Sequence, residues 1–182
     1  MSERYEIRFS GSGGQGLILA GVIFAEAATI YEGINAVQSQ SYGPEARGGA
    51  SKSEVIISDR AIDFPKAQAI DLQLSLTQES CTKYYKDLKQ TGTLLVDEDF
   101  VREIPRGLFK VVKLPIIRTA SEEIGKAFVA NIVALGAITA LTGKVSIEAV
   151  EKAVMSRVPK GTEDLNRKAL MAGYNLVKAR MN

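Results

Sequence analysis

A glycine-rich hexapeptide near the start of the chain is the feature that most limits how the chain can fold. Gly11-Ser12-Gly13-Gly14-Gln15-Gly16 separates an alternating apolar segment, residues 5–9, from a long apolar segment that begins at Leu17. The first segment has the period of two that is typical of a strand. The second is too long and too rich in alanine for a strand, and it predicts a buried helix that runs to about Tyr31 and ends near Gly33. A strand, a tight turn and a helix are therefore expected at the start of the fold.

Further strands and helices are predicted along the rest of the chain. Strands are expected at residues 34–40, 53–58, 69–76, 93–96 and 110–114, and helices at residues 78–89, 121–141, 146–156 and 162–179. Thr77 and Ser121 are the expected N-caps of the first two of these helices. Residues 62–65 are expected to return as an extended segment against residues 53–58, which would place an antiparallel pair on an otherwise parallel sheet.

The order of these elements predicts the fold class. Strands that alternate with helices, followed by a helical tail, predict a three-layer, Rossmann-like α/β fold with a mostly parallel sheet and a C-terminal helical segment. The sequence contains no internal repeat and no long linker. Residues 1–182 are therefore expected to form one domain, which is long enough to bury a sizeable core.

The composition excludes several kinds of site. The sequence contains no histidine, which excludes a Ser-His-Asp triad and an imidazole base, and its one cysteine, Cys81, can form neither an internal disulfide nor an iron–sulfur cluster. Cys81 is expected to be a structural thiol rather than a redox group. The net charge of +2, without a run of lysine or arginine, does not favour nucleic acid or a membrane surface as a partner. The absence of a signal peptide and of a membrane-spanning apolar run predicts a cytoplasmic protein.

A second segment, residues 41–51, concentrates unusual side chains in a predicted loop between two strands. Its notable residues are Ser41, Tyr42, Gly43, Pro44, Glu45, Arg47, Gly48, Gly49 and Ser51. Pro44 followed so soon by Gly48 is incompatible with a regular helix or a central strand. Polar side chains together with glycines that permit close backbone approach predict a binding surface, with an ordinary surface turn as the alternative. Arg47 is either a contact for an anion or a partner carboxylate, or the partner of Glu45 or Glu54 in an internal ion pair.

The glycine spacing leaves three interpretations open. Gly11-x-Gly13-x-x-Gly16 matches the dinucleotide-binding pattern, but that pattern also requires an acidic residue about twenty residues further on for the ribose. Gln38, Ser39 and Gln40 occupy that place, which disfavours NAD(P) binding. Either the glycines serve only a tight turn and close helix packing, or the backbone N–H groups at the start of the helix bind an anionic ligand or a group of a partner.

The two segments together resemble one protein family. Residues 11–16 and 41–49, with residues 51–55, 131–137 and 166–174, are similar to the gamma subunit of 2-oxoacid:ferredoxin (acceptor) oxidoreductases. These enzymes oxidatively decarboxylate 2-oxoacids to acyl-CoA and pass the electrons to ferredoxin. The length and the separate-chain layout favour the 2-oxoglutarate type, with the pyruvate, branched-chain and indolepyruvate types as alternatives.

The resemblance implies an accessory subunit that has no catalytic residues of its own. Thiamine diphosphate, Mg²⁺ and the iron–sulfur clusters would belong to separate alpha, beta and often delta subunits, with coenzyme A as a co-substrate, and this chain would bind no metal. Consistent with that division, the sequence lacks the Gly-Asp-Gly and Asn-Asn elements of a thiamine diphosphate–Mg²⁺ site. Its partners would be the other subunits, and ferredoxin through the complex.

The resemblance also assigns roles to individual residues. The glycines of residues 11–16 would supply backbone donors or room, and Gln15 would hydrogen-bond a partner group. Arg47, Glu45 and Tyr42 would contact the partner subunits and help enclose coenzyme A. From the residues themselves, Asn131 stands alone on an apolar helix, where an unpaired buried amide would cost about 1–3 kcal/mol. Asn131 is therefore expected to hydrogen-bond a loop backbone and to hold a glycine loop in place.

Overall fold

A six-stranded sheet lies at the centre of the structure, a computed structural model that describes residues 4–42 and 49–181. The strands are β1 (Arg4–Ser12), β2 (Asn35–Tyr42), β3 (Ala50–Ser58), β4 (Ile70–Ser75), β5 (Leu88–Asp97) and β6 (Lys110–Leu114). Their order across the sheet is β2-β3-β1-β4-β5-β6. Only β3 runs against the others, because it pairs antiparallel with both β1 and β2 whereas β1, β4, β5 and β6 pair in parallel. The predicted mostly parallel α/β sheet is confirmed.

Helices cover one face of the sheet densely and the other face thinly. They are α1 (Leu17–Glu26), α2 (Gln78–Tyr84), α3 (Ile116–Arg118), α4 (Ala130–Thr142), α5 (Ile147–Arg157) and α6 (Glu163–Met181). The main apolar core lies between the sheet and α1, α4, α5 and α6. A smaller apolar cluster on the other face combines Cys81 of α2 with Val101 and Phe109 from the connection between β5 and β6. These layers and the helical C-terminal segment agree with the sequence prediction.

The alternation of side chains along β1 explains how one strand serves both faces. Ile7 and Phe9 belong to the main core, whereas Arg8 and Ser10 point to the opposite face, as the period of two requires. All four side chains are fully or almost fully buried. The α2 face therefore buries polar groups at its centre and must supply partners for them.

The antiparallel hairpin predicted between residues 53–58 and 62–65 is wrong. β3 instead finds its antiparallel partners in β2 and β1. Residues 62–65 remain outside the sheet, and the guanidinium of Arg4 donates to the carbonyls of Phe64 and Lys66 at 2.9 and 2.8 Å. A side chain from β1 therefore satisfies the backbone of this connection in place of a strand ladder.

The long helix predicted at residues 121–141 is divided in two. A helical segment starts at Ile116 and widens into a turn of π-helix at Thr119–Glu123, and α4 begins only at Ala130. The break falls at Gly125, whose φ of 82° cannot belong to a right-handed helix. Ser121 is consequently no N-cap, and its hydroxyl donates to the carbonyl of Arg118.

The predictions around α2 are partly correct. The Thr77 hydroxyl accepts the N–H of Ser80 at 3.2 Å, as expected for an N-cap. The helix ends earlier than predicted, because one turn of 3₁₀ helix, Tyr85–Asp87, leads directly into β5 at Leu88.

Within residues 4–42 and 49–181, no helix combines the length and the hydropathy needed to cross a bilayer.

Candidate functional site

The structure brings the glycine-rich turn and the β2–β3 hairpin together at the carboxyl end of β1. β1 and β3 are paired as far as Ser12 and Ala50. Just beyond this last pair, the N–H of Gly13 donates to the carbonyl of Gly49 at 3.1 Å. The carboxyl ends of parallel strands are where open α/β sheets bind their ligands. The glycine-rich turn and the described end of the second segment, at Gly49 and Ala50, therefore lie side by side.

Both segments contain shorter loops than the sequence predicted. Gly11 lies within β1 opposite Ser51 of β3, while Ser41 and Tyr42 end β2. Ser51 is buried and Ser41 is exposed. Five residues assigned to the site lie outside the described part of the chain, namely Gly43, Pro44, Glu45, Arg47 and Gly48. Their proposed roles stay predictions.

The glycine-rich turn is closed by its own side chain. Gln15 Oε1 accepts the N–H of Ser12 at 2.8 Å, so this amide oxygen makes one hydrogen bond within the turn, and a bond of Gln15 to a partner stays a prediction. A Cβ atom on Gly11 would lie 2.2 Å from Gln15 Oε1, so the side chain that closes the turn would have to move to accept one. Gly13 and Gly14 are exposed, and they are the part of the turn that a partner can reach.

Asn131 makes the contact expected from the sequence. Its Nδ2 donates to the carbonyl of Gly16 at 3.2 Å, across 115 positions of the chain. Gly16 has a φ of 73°, and a Cβ atom there would lie 2.6 Å from Asn131 Nδ2. The first turn of α4 therefore holds the glycine-rich turn in place, and it can do so only because residue 16 is a glycine.

Sequence reasoning missed a buried charge cluster beneath the hairpin. The guanidinium of Arg8, only 1% exposed, donates to Glu54 at 2.6 and 2.8 Å and to both carboxylate oxygens of Asp87. It also donates to the carbonyl of Tyr84 at 2.6 Å. The available signal was a charged residue between two apolar residues, Ile7 and Phe9, of a predicted strand, since an arginine that becomes buried there requires carboxylate partners.

Tyr84 connects this charge cluster to the hairpin. Its hydroxyl donates to the carbonyl of Ala50 at 3.0 Å. Lys52 Nζ lies 5.5 Å from the centre of the Tyr84 ring and 2.8 Å from Glu54. Glu54, one of the two carboxylates considered for Arg47, is therefore engaged by Arg8 and Lys52. Aromatic, cationic and anionic groups together fix the base of the hairpin.

Two carboxylates and the one thiol of the chain have shifted pKa values. Burial tends to raise the pKa of Asp87, but the hydrogen bond and the charge of Arg8 outweigh burial, and this pKa lies below its ordinary value. Burial raises the pKa of Asp97 despite three backbone N–H groups, those of Asp99, Phe100 and Ile117, that donate to it. Burial also raises the pKa of Cys81, which favours an unreactive thiol.

Comparison with known proteins identifies the family. Residues 6–176 match the sequence profile of the family described as pyruvate ferredoxin/flavodoxin oxidoreductase. The chain belongs to this family. Within it, the chain is 55% identical to the 2-oxoglutarate synthase subunit KorC of Methanocaldococcus jannaschii over 177 residues, which cover 96% of this chain and 95% of the relative. It is 40% identical to the KorC subunit of Archaeoglobus fulgidus, over 97% of this chain and 89% of the relative.

Solved structures of family members have the same fold. The gamma subunit of a keto/oxoacid ferredoxin oxidoreductase from Geobacter sulfurreducens superposes with a TM-score of 0.91 at 60% identity, over 97% of this chain and 98% of that one. A 2-oxoglutarate:ferredoxin oxidoreductase from Magnetococcus marinus matches with a TM-score of 0.86 at 22% identity, over 97% of this chain and 31% of that chain, a likeness of fold alone. The resemblance to gamma subunits predicted from residues 11–16 and 41–49 is confirmed.

The described residues do not fit the metal groups on which oxidoreductases of this family depend. Residues 4–42 and 49–181 contain no cluster of three histidine, cysteine, aspartate or glutamate side chains that could hold a metal ion. The one cysteine of the sequence, Cys81, is buried in an apolar cluster. Neither an iron–sulfur cluster nor a Mg²⁺ site is assigned to this part of the chain.

Proposed function

We propose that this chain is the gamma subunit of a 2-oxoacid:ferredoxin oxidoreductase that acts on 2-oxoglutarate. The observation that carries the proposal is the 55% identity to a 2-oxoglutarate synthase subunit over nearly the whole length of both chains. Identity to a pyruvate synthase subunit PorC is 29%, and to a ketoisovalerate oxidoreductase subunit VorA 32% over a shorter region. Pyruvate and branched-chain 2-oxoacids, with indolepyruvate, are therefore the alternative substrates.

In this proposal the gamma subunit catalyses no step alone. The complex converts the 2-oxoacid and coenzyme A to acyl-CoA and CO₂, and the electrons pass to ferredoxin. Alpha and beta subunits, with a delta subunit in some complexes, hold thiamine diphosphate, Mg²⁺ and the iron–sulfur clusters. The contribution of the gamma subunit is a rigid surface beside the catalytic subunits.

The surface formed by the glycine-rich turn and the hairpin is the proposed contact with those subunits. Exposed Gly13 and Gly14 let a partner approach the backbone closely, and the nearby start of α1 favours a carboxylate or another anionic group. Arg47, Glu45 and Tyr42 are proposed to contact the partner directly. Asn131 and Tyr84 hold the described parts of this surface, the glycine-rich turn and the start of β3, from beneath, and groups that are fixed before binding lower the entropic cost of association.

A dinucleotide-binding function is the second candidate, and the structure offers it little support. Gln38, at the place of the ribose-binding acidic residue, donates instead to the Ser53 hydroxyl at 2.9 Å. No carboxylate stands within β2 to bind a ribose.

Reconstitution tests the proposed function. Purified chain mixed with its alpha and beta subunits, and delta where present, is expected to restore coenzyme A-dependent reduction of ferredoxin by 2-oxoglutarate. The chain alone is expected to be inactive. Comparison of kcat/KM for 2-oxoglutarate, pyruvate, 2-oxoisovalerate and indolepyruvate then ranks the substrates. Full activity of a complex that lacks the chain, or no co-elution with the other subunits, would refute the proposal.

Arg47→Ala and Tyr42→Ala are expected to weaken subunit assembly, or to raise the KM for coenzyme A, by about tenfold or more. The melting temperature of the isolated chain should stay nearly unchanged, because the assigned role is contact with a partner. Arg60→Ala is the matched control, since Arg60 is an exposed arginine two residues beyond Ser58, the end of β3 that lies away from the hairpin turn. A large fall in melting temperature for either variant would mark the residue as structural instead.

A further inference from the structure

Exposed apolar side chains are concentrated around β6, the strand at one edge of the sheet. Leu108 is 87% exposed and Val111 38%, and Met181 at the end of α6 is 65% exposed. Between β6 and the last turns of α6 lies a groove, and its mainly apolar walls include Val112 and Val177. Apolar surface that is rimmed by polar groups marks sites of interaction with other proteins.

Cationic side chains form the rim of this groove. Lys110 and Lys113 of β6 and Arg180 of α6 all line it. Glu98 lies 3.3 Å from Arg180, but within residues 4–42 and 49–181 no carboxylate pairs with Lys110 or Lys113. The chain therefore leaves two lysine charges at the groove without a counter-charge, and the groove favours an occupant that carries carboxylates.

The backbone of β6 determines how such an occupant can bind. The Leu114 carbonyl accepts the N–H of Glu98 at 3.0 Å, so the backbone groups of Leu114 face the side of β5. Backbone groups alternate in direction along a strand, so those of Val111 and Lys113 face away from β5. The Arg180 guanidinium donates to the Lys113 carbonyl from this outer side. An extended segment can therefore pair with the N–H and C=O of Val111 and with the N–H of Lys113.

We propose that the outer edge of β6 binds an extended, carboxylate-bearing segment of a different protein, which adds a strand to the sheet. Strand addition at a sheet edge takes its affinity from backbone hydrogen bonds and its specificity from side chains. Lys110 and Lys113 are three positions apart and so lie on opposite faces of the sheet. A segment with carboxylates at the same spacing meets both lysines. A second copy of β6 would bring the same cations to the edge, and like charges across paired strands destabilise the pairing.

Protection of the edge is the alternative role of these lysines, since lysine often blocks accidental strand pairing. Protection alone does not explain the apolar groove beside β6 or the exposure of Leu108, Val111 and Met181, which favour contact. With an acidic partner the same lysines reject other strands and select the right one. Because β6 lies at the opposite edge of the sheet from the β2–β3 hairpin, this binding goes beyond the proposed function and holds or fails independently of it.

A designed peptide tests the proposal. The probe is acetylated and amidated Thr-Glu-Val-Thr-Glu-Val-Thr, whose carboxylates have the spacing of the two lysines. Titration into the ¹⁵N-labelled full-length chain, followed by NMR, is expected to give a dissociation constant below about 1 mM. Lys110→Glu combined with Lys113→Glu should raise this constant about tenfold or more, and the same peptide with lysine in place of glutamate should then bind the double variant. Lys160→Glu combined with Lys168→Glu is the matched control, because both lysines are exposed and the net charge changes equally. No binding below about 1 mM, or equal weakening by both double variants, would overturn the proposal.

A second comparison uses the wild-type chain alone, so it does not depend on how well the charged variants fold. The same peptide with an N-methylated backbone keeps its carboxylates but cannot donate hydrogen bonds to β6, and it is expected to bind at least about tenfold more weakly. The unmodified peptide should shift the amide signals of Val111 and Lys113 most strongly, because their N–H groups face the added strand. Equal affinity of the two peptides, or the largest shifts at a site away from β6, would indicate general attraction between charges and would overturn the proposal.

Discussion

Replacing Gly173 with valine is expected to lower the free energy of unfolding by about 3 kcal/mol or more, the upper end of the usual cost of overpacking. α4 and α6 cross in close contact at two glycines. A Cβ atom on Gly173 would collide with the backbone carbonyl of Val133, and one on Gly136 with that of Leu170. Because both obstacles are backbone atoms, the helices must separate to accept a side chain. The melting temperature should fall by about 6–12 °C in a chain of this size.

Asn175→Val is the matched control for this prediction. Asn175 is exposed on the same helix, so its replacement reports only the small difference in helix propensity. Urea denaturation of both variants separates the cost of the helix crossing from that propensity. If Gly173→Val were as stable as Asn175→Val, α4 and α6 could not be in the contact described.

Local signals predicted a large part of the fold. β6 occupies Lys110–Leu114 as predicted, because a short segment rich in apolar residues stops at Pro115. Gly143 ends α4 with a φ of 58°, the left-handed conformation expected of a helix C-cap. In each case the residues that set the boundary lie within a few positions of it.

Features that depend on distant partners could not be predicted in the same way. β1 and β3 extend to Ser12 and Ala50 only because each pairs with the other, so both loops are shorter than their composition suggested. The contacts that replace a predicted strand at residues 62–65 come from Arg4, about sixty positions away. Tertiary contacts therefore decided these boundaries.

The same distinction applies to the candidate site. Asn131 could be predicted, because a single amide on an apolar helix requires a partner whatever that partner is. That this hydrogen bond goes to the carbonyl of Gly16 could not be predicted from the sequence. Arg8 was missed because its carboxylate partners lie 46 and 79 positions away in the sequence, and nothing near Arg8 shows that they meet.

Arg8→Ala is the second variant with a large expected effect, a loss of about 3–5 kcal/mol of unfolding free energy. The substitution would leave the carboxylate of Glu54, whose side chain is 12% exposed, without its guanidinium partner. It would also leave the Tyr84 carbonyl without this donor. Asp87 is more exposed and can be hydrated again, so most of the cost arises at Glu54. Chemical denaturation measures the loss, and a change below about 1 kcal/mol would contradict the buried ion pair.

A compensated variant distinguishes lost charge pairing from lost packing. Arg8→Met combined with Glu54→Gln and Asp87→Asn removes the buried charges together, and it should recover a substantial part of the stability that Arg8→Ala loses. If the triple variant is no more stable than Arg8→Ala, the packing of the arginine side chain is what matters.

The pH dependence gives an independent measure of the same cluster. Because Arg8 holds the pKa of Asp87 below its ordinary value, the pair stabilises the fold fully above the unfolded pKa of aspartate, about 3.9. That contribution is lost as the pH falls through the lower pKa of the folded state. Arg8→Ala should remove this part of the acid sensitivity, so its unfolding free energy should depend less on pH below about 4 than that of the wild type.

Since Tyr84 and Lys52 join the charge cluster to the hairpin, Arg8→Ala should also weaken subunit assembly, whereas Arg60→Ala should not.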